Sequence, residues 1–166
     1  MKKILEIHEI KKEYFGLPLE DYVLTFNEGL LNQYGHLKEL RKIKTEKIFF
    51  IATGAITKDP QNRNKRKHMS LDQILEIKHM SHFEIGAMGH GLLDYRKNKD
   101  NIVNILMRLK KDSEEMKNFF SKELRIKPTK FCFPFNNEIF GYRRMLRDQG
   151  YTDFYGADRI DIDSLL

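Results

Sequence analysis

Short buried strands alternate with helical segments along most of this chain, and this alternation restricts the fold more than any other feature. The strand segments are rich in β-branched and aromatic residues, whereas the helical segments space apolar residues three or four apart. The predicted strands cover residues 21–26, 48–52, 83–86, 130–135 and 152–155, and the predicted helices cover residues 30–42, 71–80, 101–124 and 139–148. Such alternation predicts an α/β fold with a parallel sheet, which is open or closes into a small, incomplete (β/α) barrel.

The N-terminal segment is ambiguous. Ile4, Ile7 and Ile10 fit either a short amphipathic helix or an edge strand, before Gly16 and Pro18 break the segment. The chain has 166 residues, which predicts a single domain over residues 1–166. We expect five or six strands, fewer than the eight of a complete (β/α) barrel.

Polar residues end the strand at residues 21–26, where Asn27 and Glu28 follow directly. The carboxyl ends of parallel strands are where α/β proteins place their functional sites. Right-handed crossovers would bring the loops after three predicted strands to that same face, namely residues 27–31, 87–95 and 135–138. We therefore expect a site in which these loops meet.

The composition indicates a soluble protein of a reducing compartment. Cys132 is the only cysteine, which excludes an internal disulfide bond. No apolar run is long enough for a signal peptide or for a membrane span of about 20 residues. We expect a cytoplasmic protein without a membrane span.

The net charge of +6 is concentrated in a basic loop at residues 61–68. Arg63, Lys65, Arg66 and Lys67 have no acidic residue among them. The loop could meet the phosphate of a ligand, but a solvated loop is the favoured interpretation. Because no aromatic residue interrupts it, nucleic acid is not expected as a partner.

Four segments of the chain resemble the conserved segments of one family. Leu-Thr-Phe-Asn-Glu-Gly resembles a Thr-Phe-Asp-Asp-Gly signature, and three later segments match in the same order and spacing. The four segments are residues 24–29, 47–54, 83–94 and 131–135. Over about residues 21–156 the chain thus resembles the polysaccharide deacetylases, the NodB homology domain of carbohydrate esterase family 4.

The resemblance implies a distorted (β/α) barrel that removes acetyl groups from N-acetylated or O-acetylated sugars. In that family the first aspartate of the signature is the general base. The second aspartate binds a divalent metal together with two histidines, and the metal activates water. A later histidine protonates the leaving group.

Most of the implied catalytic residues are replaced in this chain. Asn27 stands at the position of the base, and a carboxamide cannot take a proton near neutral pH. Glu28 stands at the metal-binding aspartate, while Met88 and Leu92 occupy the two histidine positions. We therefore predict that the usual metal site is absent and that the protein needs no cofactor.

The later segments also depart from the family. Cys132 replaces an arginine, Asn136 replaces a glycine, and no histidine follows His90. Cys132 is interpreted as a buried strand cysteine rather than a nucleophile. His68 has no matched role.

Glu28 and His90 are the candidate substitutes for the replaced catalytic residues. Asn27 is the third candidate catalytic residue. The pair could act as base and orienter, or hold a divalent metal weakly with one more ligand, which is not the favoured reading. The alternative for His90 is a loop histidine that points to solvent, and this is favoured. The candidate substrate-binding residues are Phe135, Asn136, Met88 and Asp94.

Two functions remain open at this point. One is a divergent deacetylase-like hydrolase of bacterial surface-glycan metabolism (lipopolysaccharide or capsule). It would act without the usual metal on an acylated sugar precursor, which could carry a phosphate. The other is a catalytically inactive module that binds a carbohydrate or a partner protein. The sequence leaves the oligomeric state open.

Overall fold

A computed structural model describes residues 1–56 and 67–166. Seven parallel strands form one sheet in the order β6-β5-β4-β3-β2-β1-β7. The strands are β1 (Lys3–Ile7), β2 (Tyr22–Phe26), β3 (Lys47–Ile51), β4 (Phe83–Ala87), β5 (Lys130–Cys132), β6 (Asp153–Tyr155) and β7 (Ile160–Asp161). The sheet curls into an incomplete barrel, which confirms the predicted α/β fold class.

Five α-helices in the described part of the chain connect the strands. They are α1 (Leu31–Gly35), α2 (Leu37–Leu40), α3 (Leu71–Lys78), α4 (Ile102–Phe119) and α5 (Tyr142–Asp148). Helix α3 begins with a capping box, in which Ser70 accepts from the backbone N–H of Gln73 and the Gln73 side chain accepts from that of Ser70. None of the helices in the described residues is long and apolar enough to cross a membrane.

The two faces of the sheet have different partners because side chains alternate along each strand. In β3, Phe49 and Ile51 belong to the large core that includes the helices, whereas Ile48 and Phe50 point to the opposite, concave face. On the concave face, a small apolar cluster of Ile48, Phe50, Met88 and Cys132 fills the inside of the half-barrel. This concave cluster forms the floor beneath the candidate site.

Several predicted elements need correction. The N-terminal segment is a strand, but it is not at an edge, because β7 pairs with its outer side. The predicted helix at residues 30–42 is two short helices separated at His36, whose φ of −107° and ψ of 12° interrupt the helical backbone. Strand β5 ends at Cys132, since Pro134 begins a short 3₁₀ turn.

Strand β7 was not predicted. It contains only two residues, Ile160 and Asp161, and pairs with Leu5 and Glu6 of β1. The sheet therefore has seven strands rather than the five or six expected. The residue directly before β7 is Arg159, and the short strand fixes its backbone beside β1.

Candidate functional site

A buried arginine lies at the centre of the carboxyl end of the sheet. The side chain of Arg159 is only 1% exposed. Its Nη1 donates to Thr25 Oγ1 at 2.9 Å and to Asn27 Oδ1 at 2.8 Å. Its Nη2 donates to Glu6 Oε2 at 2.6 Å and to Asn136 Oδ1 at 2.9 Å. Strands β1 and β2 and the turn after β5 thus meet on one guanidinium.

Asn27 is fully bonded within this polar network. The residue is 2% exposed. Its carboxamide oxygen accepts from Arg159, and its Nδ2 donates to Glu6 Oε2 at 3.1 Å. An amide satisfies both neighbours because it carries one acceptor and one donor group. A carboxylate at this position would instead place two negative groups in contact.

Asn136 reaches the same network from the turn after β5. Its Nδ2 donates to Glu6 Oε2 at 2.9 Å, and its Oδ1 accepts from Arg159. Phe135 and Asn136 both have left-handed backbones, with φ of 58° and 55°. Such conformations cost about 1 kcal/mol or more for non-glycine residues and cluster at functional sites. The predicted meeting of the loops at residues 27–31 and 135–138 is present in the structure.

Glu28 pairs with His68 rather than with His90. Its Oε2 lies 3.4 Å from His68 Nε2, and the two side chains are 21% and 19% exposed. The hydrogen bond from His68 is the main cause that lowers the pKa of the Glu28 carboxyl below its ordinary value, with Lys67 and His8 adding to it against the opposing effect of burial. The dyad formed by Glu28 and His68 is therefore a hydrogen-bonded pair at the rim of the site, in which the pairing favours the carboxylate form of Glu28.

The backbone holds His68 in place beside Glu28. Leu31 N–H donates to the Lys67 carbonyl at 2.8 Å, and Met69 N–H donates to the Gly29 carbonyl at 2.9 Å. Glu28 itself has a φ of 73°, which turns the chain sharply after β2. Of the basic loop, Lys67 and His68 belong to the described residues, whereas Arg63, Lys65 and Arg66 lie outside them.

His90 faces a different group of side chains. Its Nδ1 lies 2.8 Å from Thr53 Oγ1, and its Nε2 lies 3.5 Å from Glu115 of α4. The predicted pair of Glu28 with His90 is thus not formed. The side chain is 30% exposed, so the alternative of a solvent-facing histidine holds only in part.

The loop that carries His90 is held from both sides. Asp112 of α4 is buried and accepts from the backbone N–H groups of His90 at 2.9 Å and Gly91 at 2.7 Å. From the other side, Gly54 N–H donates to the His90 carbonyl at 2.8 Å. A Cβ on Gly54 would lie 2.4 Å from that carbonyl oxygen, so the close approach requires glycine. These contacts fix the loop after β4.

The other predicted binding residues lie in different surroundings. Met88 is 2% exposed within the concave cluster and has little surface to offer a ligand. Phe135 is 39% exposed, and the guanidinium of Arg96 lies 4.4 Å from its ring centre. Asp94 holds Arg96 through two hydrogen bonds of 2.9 and 2.7 Å, which lower the pKa of Asp94 to about 2. Asp94 thus orients the cation that stacks on Phe135.

Cys132 is a structural residue, as predicted. It is fully buried in the concave cluster, and burial raises the pKa of its thiol to about 12. Its Sγ lies 3.8 Å from Asn27 Oδ1. Since a thiolate is the reactive form, this thiol is not suited to nucleophilic catalysis.

The side chains at the metal-binding positions of the family do not fit the divalent metal that the resemblance implies. Met88 and Leu92 offer no imidazole, and Glu28 is already paired with His68. Among residues 1–56 and 67–166, no group of three or more His, Cys, Asp or Glu side chains is arranged to hold a metal ion. The sequence of residues 57–66 contains neither histidine nor cysteine.

Solved structures with the same architecture are deacetylases. IcaB from Ammonifex degensii superposes with a TM-score of 0.75 at 18% identity, over 96% of this chain and 91% of that one. The de-N-acetylase from Aggregatibacter actinomycetemcomitans gives 0.71 at 13% identity, over 98% and 95%. This chain has the polysaccharide-deacetylase fold.

The likeness extends to further deacetylases. The Streptococcus pyogenes deacetylase PplD, solved with acetate, gives a TM-score of 0.64 at 13% identity, over 90% of this chain and 80% of that one. No family model matches the sequence, and no curated protein matches it. At these identities the likeness establishes the fold of the chain.

Three residues of the site were missed from the sequence. Arg159 and Glu6 carry the central ion pair, and His68 is the partner of Glu28. A glutamate amid the apolar residues of the N-terminal segment was the available signal for Glu6. Arg159 and His68 offered no local signal, because their positions depend on pairing with distant segments.

Proposed function

We propose that this protein binds a carbohydrate at the carboxyl end of its sheet and does not carry out metal-dependent deacetylation. The observation that carries the proposal is the environment of Asn27. A carboxamide stands where the family has its base, and both of its polar atoms are bonded to Arg159 and Glu6. A carboxamide does not take up a proton near neutral pH, so it cannot act as a general base.

One exposed ring and one partly buried amide support a sugar as the ligand. Carbohydrate sites combine an apolar or aromatic surface with a few oriented polar groups. Phe135 offers an exposed ring that Arg96 holds from one side. Asn136, the next residue, belongs to the polar network with Glu6. The proposed sugar would pack on Phe135 and donate hydroxyl hydrogens to the network.

Titration calorimetry with oligomers of N-acetylglucosamine and of glucosamine tests this proposal. Acetate release from the acetylated oligomer is measured in parallel, with and without added Zn²⁺, Co²⁺ or Ni²⁺. We expect saturable binding without acetate release. Phe135→Ala should weaken binding, whereas Phe140→Ala, which removes a ring that is 89% exposed nearby in the sequence, should not. Metal-dependent acetate release would overturn the proposal.

The dyad of Glu28 and His68 favours a second candidate function, a metal-independent acyl hydrolase. A carboxylate 3.4 Å from an imidazole can orient it as a general base. His68 would take a proton from water as the water oxygen adds to the acyl carbonyl. The imidazolium of His68 would return that proton to the sugar nitrogen or oxygen as its bond to the acyl carbon breaks, which releases the acyl group as a carboxylic acid.

This second function predicts acetate release that persists in a chelator. Release should disappear in His68→Ala and fall strongly in Glu28→Ala. His79→Ala is the matched control, because His79 lies at the end of α3, away from the carboxyl end of the sheet. Acetate release that is equal in all three variants would exclude the dyad as its source.

The proposal includes a role in bacterial surface-glycan metabolism in the cytoplasm, with a phosphate-bearing precursor as one ligand. The net charge of +6 supports an anionic group on the ligand. Cell fractionation tests the location, and a changed surface glycan after deletion of the gene tests the role. Affinity for a sugar phosphate that does not fall with salt would argue against the anionic precursor.

A further inference from the structure

We propose that Glu6 is the carboxylate that contacts the ligand, in place of the carboxylate that the fold's enzymes carry at the position of Asn27. This inference rests on the proposed carbohydrate binding and names a residue for it. Glu6 lies on β1, opposite Thr25 of β2 in the sheet register. Its side chain therefore points to the concave face beside Thr25 and Asn27.

One oxygen of Glu6 is saturated by the protein. Oε2 accepts from Arg159 at 2.6 Å, from Asn136 at 2.9 Å and from Asn27 at 3.1 Å. His8 Nε2 is an additional neighbour, 3.8 Å from the same oxygen. Three donors that come from three separate elements hold the carboxylate in one orientation.

The second oxygen is available. Within residues 1–56 and 67–166, Oε1 of Glu6 has no hydrogen-bond partner, and it is not among the buried atoms that lack one. The Glu6 side chain retains 12% exposure under His8, which is 53% exposed at the rim. A fixed carboxylate with one free oxygen is a strong acceptor for a hydroxyl group of a sugar.

The identity of residue 27 follows from the same arrangement. Its Nδ2 lies 3.1 Å from Glu6 Oε2, where a second carboxylate would face the first. Arg159 supplies one positive charge to the network, and Glu6 matches it. The negative charge of the site thus lies on β1, at Glu6, instead of at the end of β2, at position 27.

Calorimetric titration of Glu6→Gln with the N-acetylglucosamine and glucosamine oligomers tests the inference. A lost hydrogen bond to a charged acceptor should lower the affinity by about tenfold to a hundredfold. Glu84→Gln is the matched control, because Glu84 is a carboxylate of β4 that pairs with Lys130 away from the carboxyl end. The affinity of the Glu84→Gln variant for the oligomers should equal that of the wild type.

The double variant Glu6→Gln with Asn27→Asp tests the assignment even where Glu6→Gln alone does not fold. It keeps a carboxylate against Arg159, so it should fold while binding as weakly as Glu6→Gln. Wild-type affinity in either variant would overturn the assignment of Glu6 and leave the proposed function intact. Absence of binding by the wild-type protein would overturn the proposed function and this inference together.

Discussion

Glu6 and Arg159 form a buried ion pair, with 2.6 Å between Oε2 and Nη2. The arginine side chain is 1% exposed and the glutamate side chain 12%. Every hydrogen-bonding group of the guanidinium that faces the site is used by Thr25, Asn27, Glu6 or Asn136. These contacts hold the guanidinium in one position at the carboxyl end of the sheet.

Replacing Arg159 with Met should destabilise the protein strongly. The change leaves Glu6 and Asn27 buried without their common donor, and breaking a buried ion pair costs about 3–5 kcal/mol. Urea unfolding measures the free energy of unfolding. Arg143→Met is the control, since its pair with Glu138 is 41% exposed on both sides and should contribute about 0–1 kcal/mol. Equal losses in both variants would contradict a special role of Arg159.

The dyad of Glu28 and His68 predicts a pH-dependent stability. The folded-state pKa of Glu28 lies below its ordinary value of 4.5, so the stabilisation is present above that value and disappears as the pH falls through the folded pKa. Thermal unfolding should show wild type more stable than Glu28→Gln near about pH 7, with the difference shrinking toward about pH 3. Glu39→Gln, at an exposed site on α2, should show a constant difference.

Asp112 should stabilise the loop after β4. Asp112→Asn keeps the size of the side chain but leaves only one oxygen for the N–H groups of His90 and Gly91. A buried donor without a partner costs about 1–3 kcal/mol. Hydrogen exchange of these two amides should accelerate, while Glu114→Gln, an exposed change on the same helix, should leave it unchanged. Unaltered exchange in Asp112→Asn would show that the loop does not depend on this carboxylate.

Gly54 should resist substitution. A Cβ there would lie 2.4 Å from the His90 carbonyl oxygen and 3.1 Å from its carbon, so the backbone itself must move. Overpacking of this kind costs about 1–3 kcal/mol. Gly35→Ala is the control, because nothing lies within 4 Å of the added carbon. Comparable free energies of unfolding for the two alanine variants would contradict the prediction.

The sequence predicted the parallel sheet except for β7 and the inner position of β1, and it predicted part of the site. Buried strands separated by helices predicted the parallel α/β fold, and strand ends predicted that Asn27 and Asn136 lie on one face. Their junction was not predictable, because it is made by Arg159. This residue precedes a two-residue strand, which is too short to show the period of a strand.

The predicted partner of Glu28, His90, was wrong for a related reason. The resemblance suggested His90, because it lies in the matched loop with Met88. Backbone hydrogen bonds between residues 29–31 and 67–69 bring His68 there instead. His90 turns to Thr53 because the ends of β3 and β4 lie side by side. Such pairings depend on the completed sheet and leave no local pattern.

Strand β7 also has a consequence for how the protein is made. The cation opposite Glu6 comes from residue 159, so a growing chain holds an unmatched Glu6 until that residue has left the ribosome. Contacts between residues so far apart form slowly. We expect nascent chains stalled before residue 159 to remain sensitive to protease, and chains extended past β7 to become resistant. The polar network around Arg159 would then form only after β7 has been synthesised.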